Sequence, residues 1–298
     1  MSDGRGHVTA FAVAAAGIAV FSAMDVLMKG LSIAIGTYVA LVWRNLAAVA
    51  IGGTLYLASG DGWPARSTLR VHLIRGAVTT IMALLFFWGL ARLPMAQAIA
   101  LSFVSPLLAQ YLSAVMLKER VAPAAVAASL IAAVGVGAIL AGQARADLGP
   151  EALTGALAVL GSALCYAFNI VLMRQQAQVA KPAEVAFFQA LVVAGLLLLA
   201  APWMLSVPPK DQWTAIVAAA VLGTVSAMLL AWGYARAPAS HMAPTEYTAF
   251  VWASLFGWAV FGETVSGWTV VGAALIVTGC IVAVRTKPIE QPTLEPQA

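Results

Sequence analysis

Charge is the scarcest property of this chain. Lysine, arginine, aspartate and glutamate together make up 9% of its 298 residues, against about 25% in an ordinary soluble domain. Apolar residues reach 62% and mean hydropathy is +0.93. Too few polar side chains exist to cover a surface facing water, which excludes a soluble globular protein. Cysteine is nearly absent. Cys165 and Cys280 lie inside apolar runs, without metal-site spacing, and read as small apolar fillers. The chain has no Walker A loop, zinc-ligand pair, GxSxG elbow or dinucleotide fingerprint. These absences argue against an ATP-driven pump and against an enzyme. No cofactor and no metal are implied. The net charge of +4 gathers at the ends of apolar runs. There it signals membrane topology, and no nucleic-acid partner is expected.

What the chain has in quantity is long apolar runs. Ten are expected, near 8–30, 37–58, 72–91, 95–117, 122–142, 153–174, 184–206, 213–235, 240–261 and 267–284. Most have the roughly twenty residues that a membrane-spanning helix needs. Breakers separate them, among them Pro94, Pro123, Gly149-Pro150, Pro182 and Pro238. The first run is longer than a signal-peptide core and reads as an uncleaved first helix. The tail, 286–298, holds prolines and glutamates and is expected to be disordered. The fold class is therefore all-α integral membrane.

Lysine and arginine set the orientation. With the N-terminus in the cytoplasm, the inner segments carry Arg5, Arg66, Arg70, Arg75, Lys118, Arg120, Arg174, Lys181, Arg236, Arg285 and Lys287. The outer segments carry Lys29, Arg92, Arg145 and Lys210, and Arg44 falls within a span. This excess on one side predicts cytoplasmic N- and C-termini.

The chain also repeats itself. Trp88-Gly89-Leu90-Ala91-Arg92-Leu93-Pro94 returns as Trp232-Gly233-Tyr234-Ala235-Arg236-Ala237-Pro238. At the same offset Glu119 falls on Glu263 and Gly135 on Gly279. A first repeat, 1–143, and a second, 144–285, would each hold five spans. An odd number turns the second half over relative to the first. Two such inverted-topology halves can exchange conformations, which is the basis of alternating access. A transporter is the leading reading. A passive channel is the alternative, and it would need a continuous polar pore that these spans hardly supply.

The run Trp88-Gly89, Ala96, Ala98, Leu101, Ser105-Pro106, Leu117-Lys118-Glu119 and Gly135-Val136, with its second copy from Trp232-Gly233 through Pro244 and Glu263 to Gly279, resembles the EamA module of the drug/metabolite transporter superfamily. Its closest likeness is to bacterial exporters of aromatic and other amino acids. The resemblance implies a multi-pass protein of the bacterial inner membrane, acting as monomer or homodimer. It implies a small-molecule substrate, an amino acid by preference and a cationic drug or sugar otherwise. It also implies a cavity walled mainly by spans three, four, eight and nine. The second copy departs from the first, because Pro106 has no counterpart at Phe250.

Ionisable residues inside spans are costly, and each is a functional candidate. Asp25 and Arg44 fall at similar depths and are expected to pair, with Lys29 one helical turn from Asp25 and able to share it. They read as a gate or a zwitterion site, or else as a static clamp. Glu246 lies in the ninth span and replaces Ser102 of the first copy. Arg75 is its candidate partner. Met82, Phe86, Phe103 and Tyr247 are candidate cavity residues on the spans that the resemblance names. Glu119 and Glu263 close spans four and nine and are expected at the bilayer surface, in capping and loop pairs. Arg92 and Arg236 are expected to anchor hairpins at the interface. Ala128, Ala132, Ala133, Gly137 and Ala141 form two small-residue rows on span five, suited to close helix contact.

The expected topology is open to cysteine labelling. After Cys165 and Cys280 are removed, single cysteines beside Arg92 and Lys210 should react with an impermeant reagent added outside whole cells. Cysteines beside Lys118 and Lys181 should stay unlabelled. The reverse pattern would overturn the orientation.

Overall fold

The chain was analysed as a computed structural model, which describes residues 3–60, 62–117, 123–145, 151–177, 179–234 and 239–285. Among these residues the structure is helical, with no strand. The helices are α1 (Asp3–Ile35), α2 (Thr37–Ala58), α3 (Arg66–Leu90), α4 (Met95–Ser102), α5 (Ser105–Leu117), α6 (Pro123–Arg145), α7 (Ala152–Ala177), α8 (Pro182–Leu198), a single turn α9 (Ala201–Met204), α10 (Trp213–Tyr234), α11 (Ala239–Phe261) and α12 (Gly267–Arg285). Among the described residues five helices are long and apolar enough to cross a membrane: Thr9–Ile35, Thr37–Ala58, Arg66–Leu90, Ala152–Met173 and Lys210–Leu230. Met95–Ala109, Ser129–Gly142, Pro182–Leu198 and Gly267–Val282 are shorter apolar helices.

Two departures from the expected runs have local causes. The first run extends to Ile35 instead of ending near 30, and one residue, Gly36, turns the chain into α2. Gly36 sits at φ 82, a left-handed backbone that a side chain would resist. The expected span 95–117 is broken after Ser102. Pro106 has no N–H to continue the ladder. Phe103 N–H turns to Ala100 O at 3.2 Å and Val104 N–H to Leu101 O at 3.4 Å, which tightens the last turn of α4. Ser105 Oγ donates to Ser102 O at 2.6 Å. The thiol of Cys280, expected only to fill space, donates to Phe103 O at 3.2 Å. The broken strut is thus satisfied by its neighbours, as buried irregular backbone in a membrane must be.

The outside of the bundle is apolar. Leu57, Leu130, Val134, Leu164, Val251 and Trp258 are all exposed. Polar side chains are drawn inward, among them Ser22, Asp25, Lys29, His72, Gln97, Asn169, Gln176, Ser226 and Thr245. A soluble protein distributes these residues the other way round.

Helix pairing is reciprocal between the two sequence repeats. α1 packs along α10, while its counterpart α7 packs along α3. α1 also lies on α11, and α7 on α4 and α5. α6 meets its own counterpart α12, and α2 meets α8. Small residues allow the closest of these approaches. A Cβ on Gly89 would lie 2.5 Å from the Gly155 carbonyl oxygen of α7, and one on Gly272 would lie 2.6 Å from Gly135 O of α6. The α6 contact face therefore runs through Ala132, Gly135 and Ile139, which are buried. The expected rows need correcting: Ala133, Gly137 and Ala141 face outward. The helical phase puts them there, while Gly135 takes the seam.

Gly135→Val and Gly272→Val should each destabilise the protein by about 1–3 kcal/mol through overpacking. Gly137→Val, with nothing within 4 Å of its Cβ, should leave stability unchanged. Thermal unfolding of the purified protein in detergent checks all three.

Candidate functional site

Three clusters of polar residues lie along the bundle. One end is formed where α1, α3 and α11 finish and α4 begins. Lys29, near the end of α1, is buried there. Its ammonium donates to Leu93 O at 2.5 Å, forms an ion pair with Glu263 Oε1, and stands 5.0 Å over the Phe261 ring. It makes no hydrogen bond to Asp25, whose carboxylate oxygens have no partner, which corrects the expectation that it shares that residue. The left-handed Gly262, at φ 67, ends α11 and precedes Glu263. The other carboxylate oxygen of Glu263 accepts Met95 N–H at 2.7 Å. Pro94, at the N-cap position of α4, supplies no side-chain cap. A carboxylate from 168 residues away thus answers both a buried ammonium and the positive end of a short helix. Glu263 was expected at the surface, but its side chain is only 17% exposed.

Arg92 lies beside this cluster. Its guanidinium stacks 3.6 Å over Trp88, donates to Trp88 O at 3.1 Å and pairs with Glu151 Oε2 at 2.7 Å. Glu151 is largely exposed, so this pair between repeats contributes little to stability. Glu119 and Arg236, the repeat counterparts of Glu263 and Arg92, lie outside the described residues, as does the tail from 286.

One turn deeper is Asp25, 1% exposed. Arg44 of α2 lies within electrostatic reach of it, and the guanidinium packs against Gly223 of α10. The structure does not join the two as expected. Neither carboxylate oxygen of Asp25 has a hydrogen-bond partner, and Arg44 Nε has none. Buried charges left in this condition are costly.

The middle of the bundle is aromatic. Phe103, at the break between α4 and α5, meets Tyr247 of α11 edge-on at 5.4 Å. Tyr247 also lies close to the Cys280 thiol. Glu246, beside it on α11, is half-buried. Tyr166 of α7 lies within electrostatic reach of both Glu246 and Arg75, the two residues expected to pair. On α3, Phe86 is half-buried, edge-on to Phe87 at 5.2 Å. Met82 is also half-buried, and its carbonyl accepts Ser162 Oγ at 3.0 Å. A separate apolar cavity of about 680 Å³ lies among Tyr38, Thr80, Leu84, Trp88, Leu197 and Met204. None of the expected substrate residues lines it.

The opposite end, where α3 and α8 begin and α7 finishes, holds a network that inspection of the sequence missed. Arg75 donates to Asn169 Oδ1 at 3.1 Å and to Gln176 Oε1. Gln176 Nε2 lies 2.6 Å from His72 Nδ1. His72 Nε2 lies 2.9 Å from Glu184 Oε1. His72 is wholly buried and stacks on Phe188 at 4.9 Å. His72 and Glu184 are 112 residues apart. The only available signal was polar residues, Asn169 and Gln176, near the C-terminal end of an apolar run.

Replacing Lys29 by Met, the residue that the repeat places at 173, leaves a part-buried carboxylate without its cation. The expected loss is about 3 kcal/mol, read as a lower thermal midpoint. Adding Glu263→Gln should recover part of it. An unchanged midpoint in Lys29→Met would show that the pair carries no stability.

Comparison with known proteins agrees with a fold of two repeated halves. The EamA-like transporter family matches residues 8–141 and again 153–285. The pseudopaline exporter CntI of Pseudomonas aeruginosa is 28% identical, over 90% of this chain and 93% of its own length. A riboflavin transporter of Vibrio cholerae is 31% identical, over 69% of this chain and 68% of its own. A solved crystal structure aligns with a TM-score of 0.62 at 26% identity, covering 93% of this chain and 97% of that one. With both halves matched, this chain belongs to the EamA-like transporter family, membrane proteins that move small molecules.

Proposed function

We propose that the protein exports small zwitterionic metabolites, amino acids foremost, across a bacterial inner membrane by alternating access. The observation that carries this is the pair Asp25 and Arg44. A carboxylate and a guanidinium are buried within reach of one another, yet Asp25 has no hydrogen bond and Arg44 Nε has none. An amino acid matches both deficits: its ammonium answers Asp25 and its carboxylate answers Arg44. Phe103 and Tyr247 offer an apolar edge for a side chain, beside Glu246. A sugar phosphate would need several cations at the midplane to offset its desolvation. Among the described residues Lys29 is already occupied by Glu263 and Leu93, and Arg75 by Asn169 and Gln176.

Alternating access rests on the two repeats. Reciprocal packing of α1 on α10 and α7 on α3 is what two exchangeable halves require. We take these halves as 1–143 and 144–285, each of five spans in opposite orientation, with cytoplasmic termini. The relatives named for pseudopaline and for riboflavin differ in cargo, so the lining must choose. Riboflavin belongs in any test, because an aromatic edge also suits a flat ring.

The test is counterflow in proteoliposomes with labelled threonine, phenylalanine and methionine, beside riboflavin and a nucleotide sugar. Accelerated exchange separates a carrier from a channel. Amino-acid exchange is expected, and Asp25→Asn or Arg44→Gln should weaken apparent affinity on the order of 30-fold, the loss of one partner in a desolvated charge pair. Glu246→Gln should lower transport at normal expression, and more than Glu119→Gln does. Exchange of the nucleotide sugar alone would sink the amino-acid reading.

A further inference from the structure

The network at the second end has a direction, and the direction fixes a protonation state. Arginine can only donate. The oxygen of the Gln176 amide must therefore be the atom facing Arg75, as it is. That choice turns the amide NH2 towards His72 Nδ1, 2.6 Å away. An NH2 group needs an acceptor, so Nδ1 carries no proton. The ring proton then sits on Nε2 and is donated to Glu184 Oε1 at 2.9 Å. Arg75, Gln176, His72 and Glu184 donate one to the next in a single sense. His72 is held neutral in the middle of the chain.

We propose that His72 is a proton-binding site whose occupancy re-aims Arg75 and so couples proton binding to the transport cycle. The inference rests on the family's transport activity and not on the choice of cargo. Glu184 leads out of the network on the Nε2 side, with a side chain 11% exposed against 0% for His72, and Arg75 at the other end is half-buried. The face of the ring is closed by Phe188, which is packed in turn by Tyr56, Phe187 and Trp63. Exchange with water therefore runs along the network, past Glu184 or past Arg75. Among the described residues, the other ionisable groups on helices packed against α3 at this end include Tyr166 of α7 and Tyr56 of α2, whose hydroxyl donates to Gly62 O. Arg70 and Lys181 are exposed.

One proton entering from water binds Nδ1, and nothing covalent changes. His72 becomes a cation paired with Glu184. Nδ1 now donates, so the Gln176 amide must turn over and present its oxygen to the ring. Its NH2 then faces Arg75, donor against donor. Arg75 keeps Asn169 Oδ1 and loses Gln176. Its charge already reaches Tyr166, which also feels Glu246. The freed guanidinium swings towards that wall. Protonated and unprotonated carriers thus present different charges beside Glu246, and such a difference between states is what coupling requires.

The test uses full-length protein in lipid bilayers with 15N-labelled histidine. The sequence holds three histidines, His7, His72 and His241, and the signal lost in His72→Asn identifies the one in question. At the alkaline end of a pH series it should report the neutral form with its proton on Nε2, and at the acidic end the imidazolium. A dipolar contact between the Arg75 and Gln176 side chains should be present at the higher pH and lost at the lower. Gln176→Leu removes the lock without removing the histidine, and should yield a mixture of both neutral tautomers. A proton on Nδ1 at the higher pH would overturn the proposal. So would a ring that stays neutral at the lower pH, or an Arg75 contact that ignores pH. Threonine counterflow runs beside this at both pH values, and its rate should change several-fold in wild type and stay flat in Gln176→Leu. Absence of threonine exchange in every protein would count against the amino-acid reading, while the resonance data alone still decide the proton site.

Discussion

A lipid interior offers no hydrogen-bond partner, and every polar group carried into it must be answered from within the bundle. The rest of this structure depends on that constraint. Glu263 illustrates it most fully. One carboxylate settles the Lys29 ammonium and the unsatisfied N–H of Met95, binding α1, α4 and the segment after α11 at one point. Removing it would expose two deficits that water cannot reach.

The same constraint allows irregularity only where a neighbour compensates for it. α4 stops at Ser102 because Pro106 interrupts the ladder, and the freed Phe103 carbonyl is met by a thiol from α12. The break therefore carries no orphan at that carbonyl, and it presents Phe103 edge-on to Tyr247. Packing supplies the remaining rigidity. Gly89 against Gly155, and Gly135 against Gly272, bring backbones of the two repeats close enough that a single Cβ would collide. With the halves this close, a change in one must be felt in the other.

Against that background two sites stand apart in character. Asp25 and Arg44 are an acid and a base left incompletely answered, a condition that is costly in an apolar interior. The histidine network is fully answered, but only for one protonation state. The first is suited to a molecule carrying both charges, the second to a proton. They lie towards opposite ends of the bundle, and α3, which carries His72, also packs against α1 and α2.

Much of the fold was legible in the sequence, because the membrane leaves so few choices. Long apolar runs have to be helices, and a run's length and flanks are local properties. The helix limits at Thr37–Ala58, Ala152–Ala177 and Gly267–Arg285 fall within a few residues of what the runs predict. The 144-residue repeat and the family are likewise written in one dimension, in Trp88-Gly89 and Trp232-Gly233, in Glu119 and Glu263. Partnership is not. Lys29 is one turn from Asp25 along the chain, yet it turns to Glu263, 234 residues away, where it also meets Leu93 O. His72 gives no local hint of Glu184 or Gln176. The outward row Ala133, Gly137 and Ala141 of α6 and the inward Ala132 and Gly135 differ by a helical phase that amphipathicity cannot report when both faces are apolar. The sequence alone decided which stretches form long apolar helices; the tertiary structure alone decided which of their residues answer one another, because in an apolar bundle pairing depends on helix rotation and depth, and neither is encoded locally.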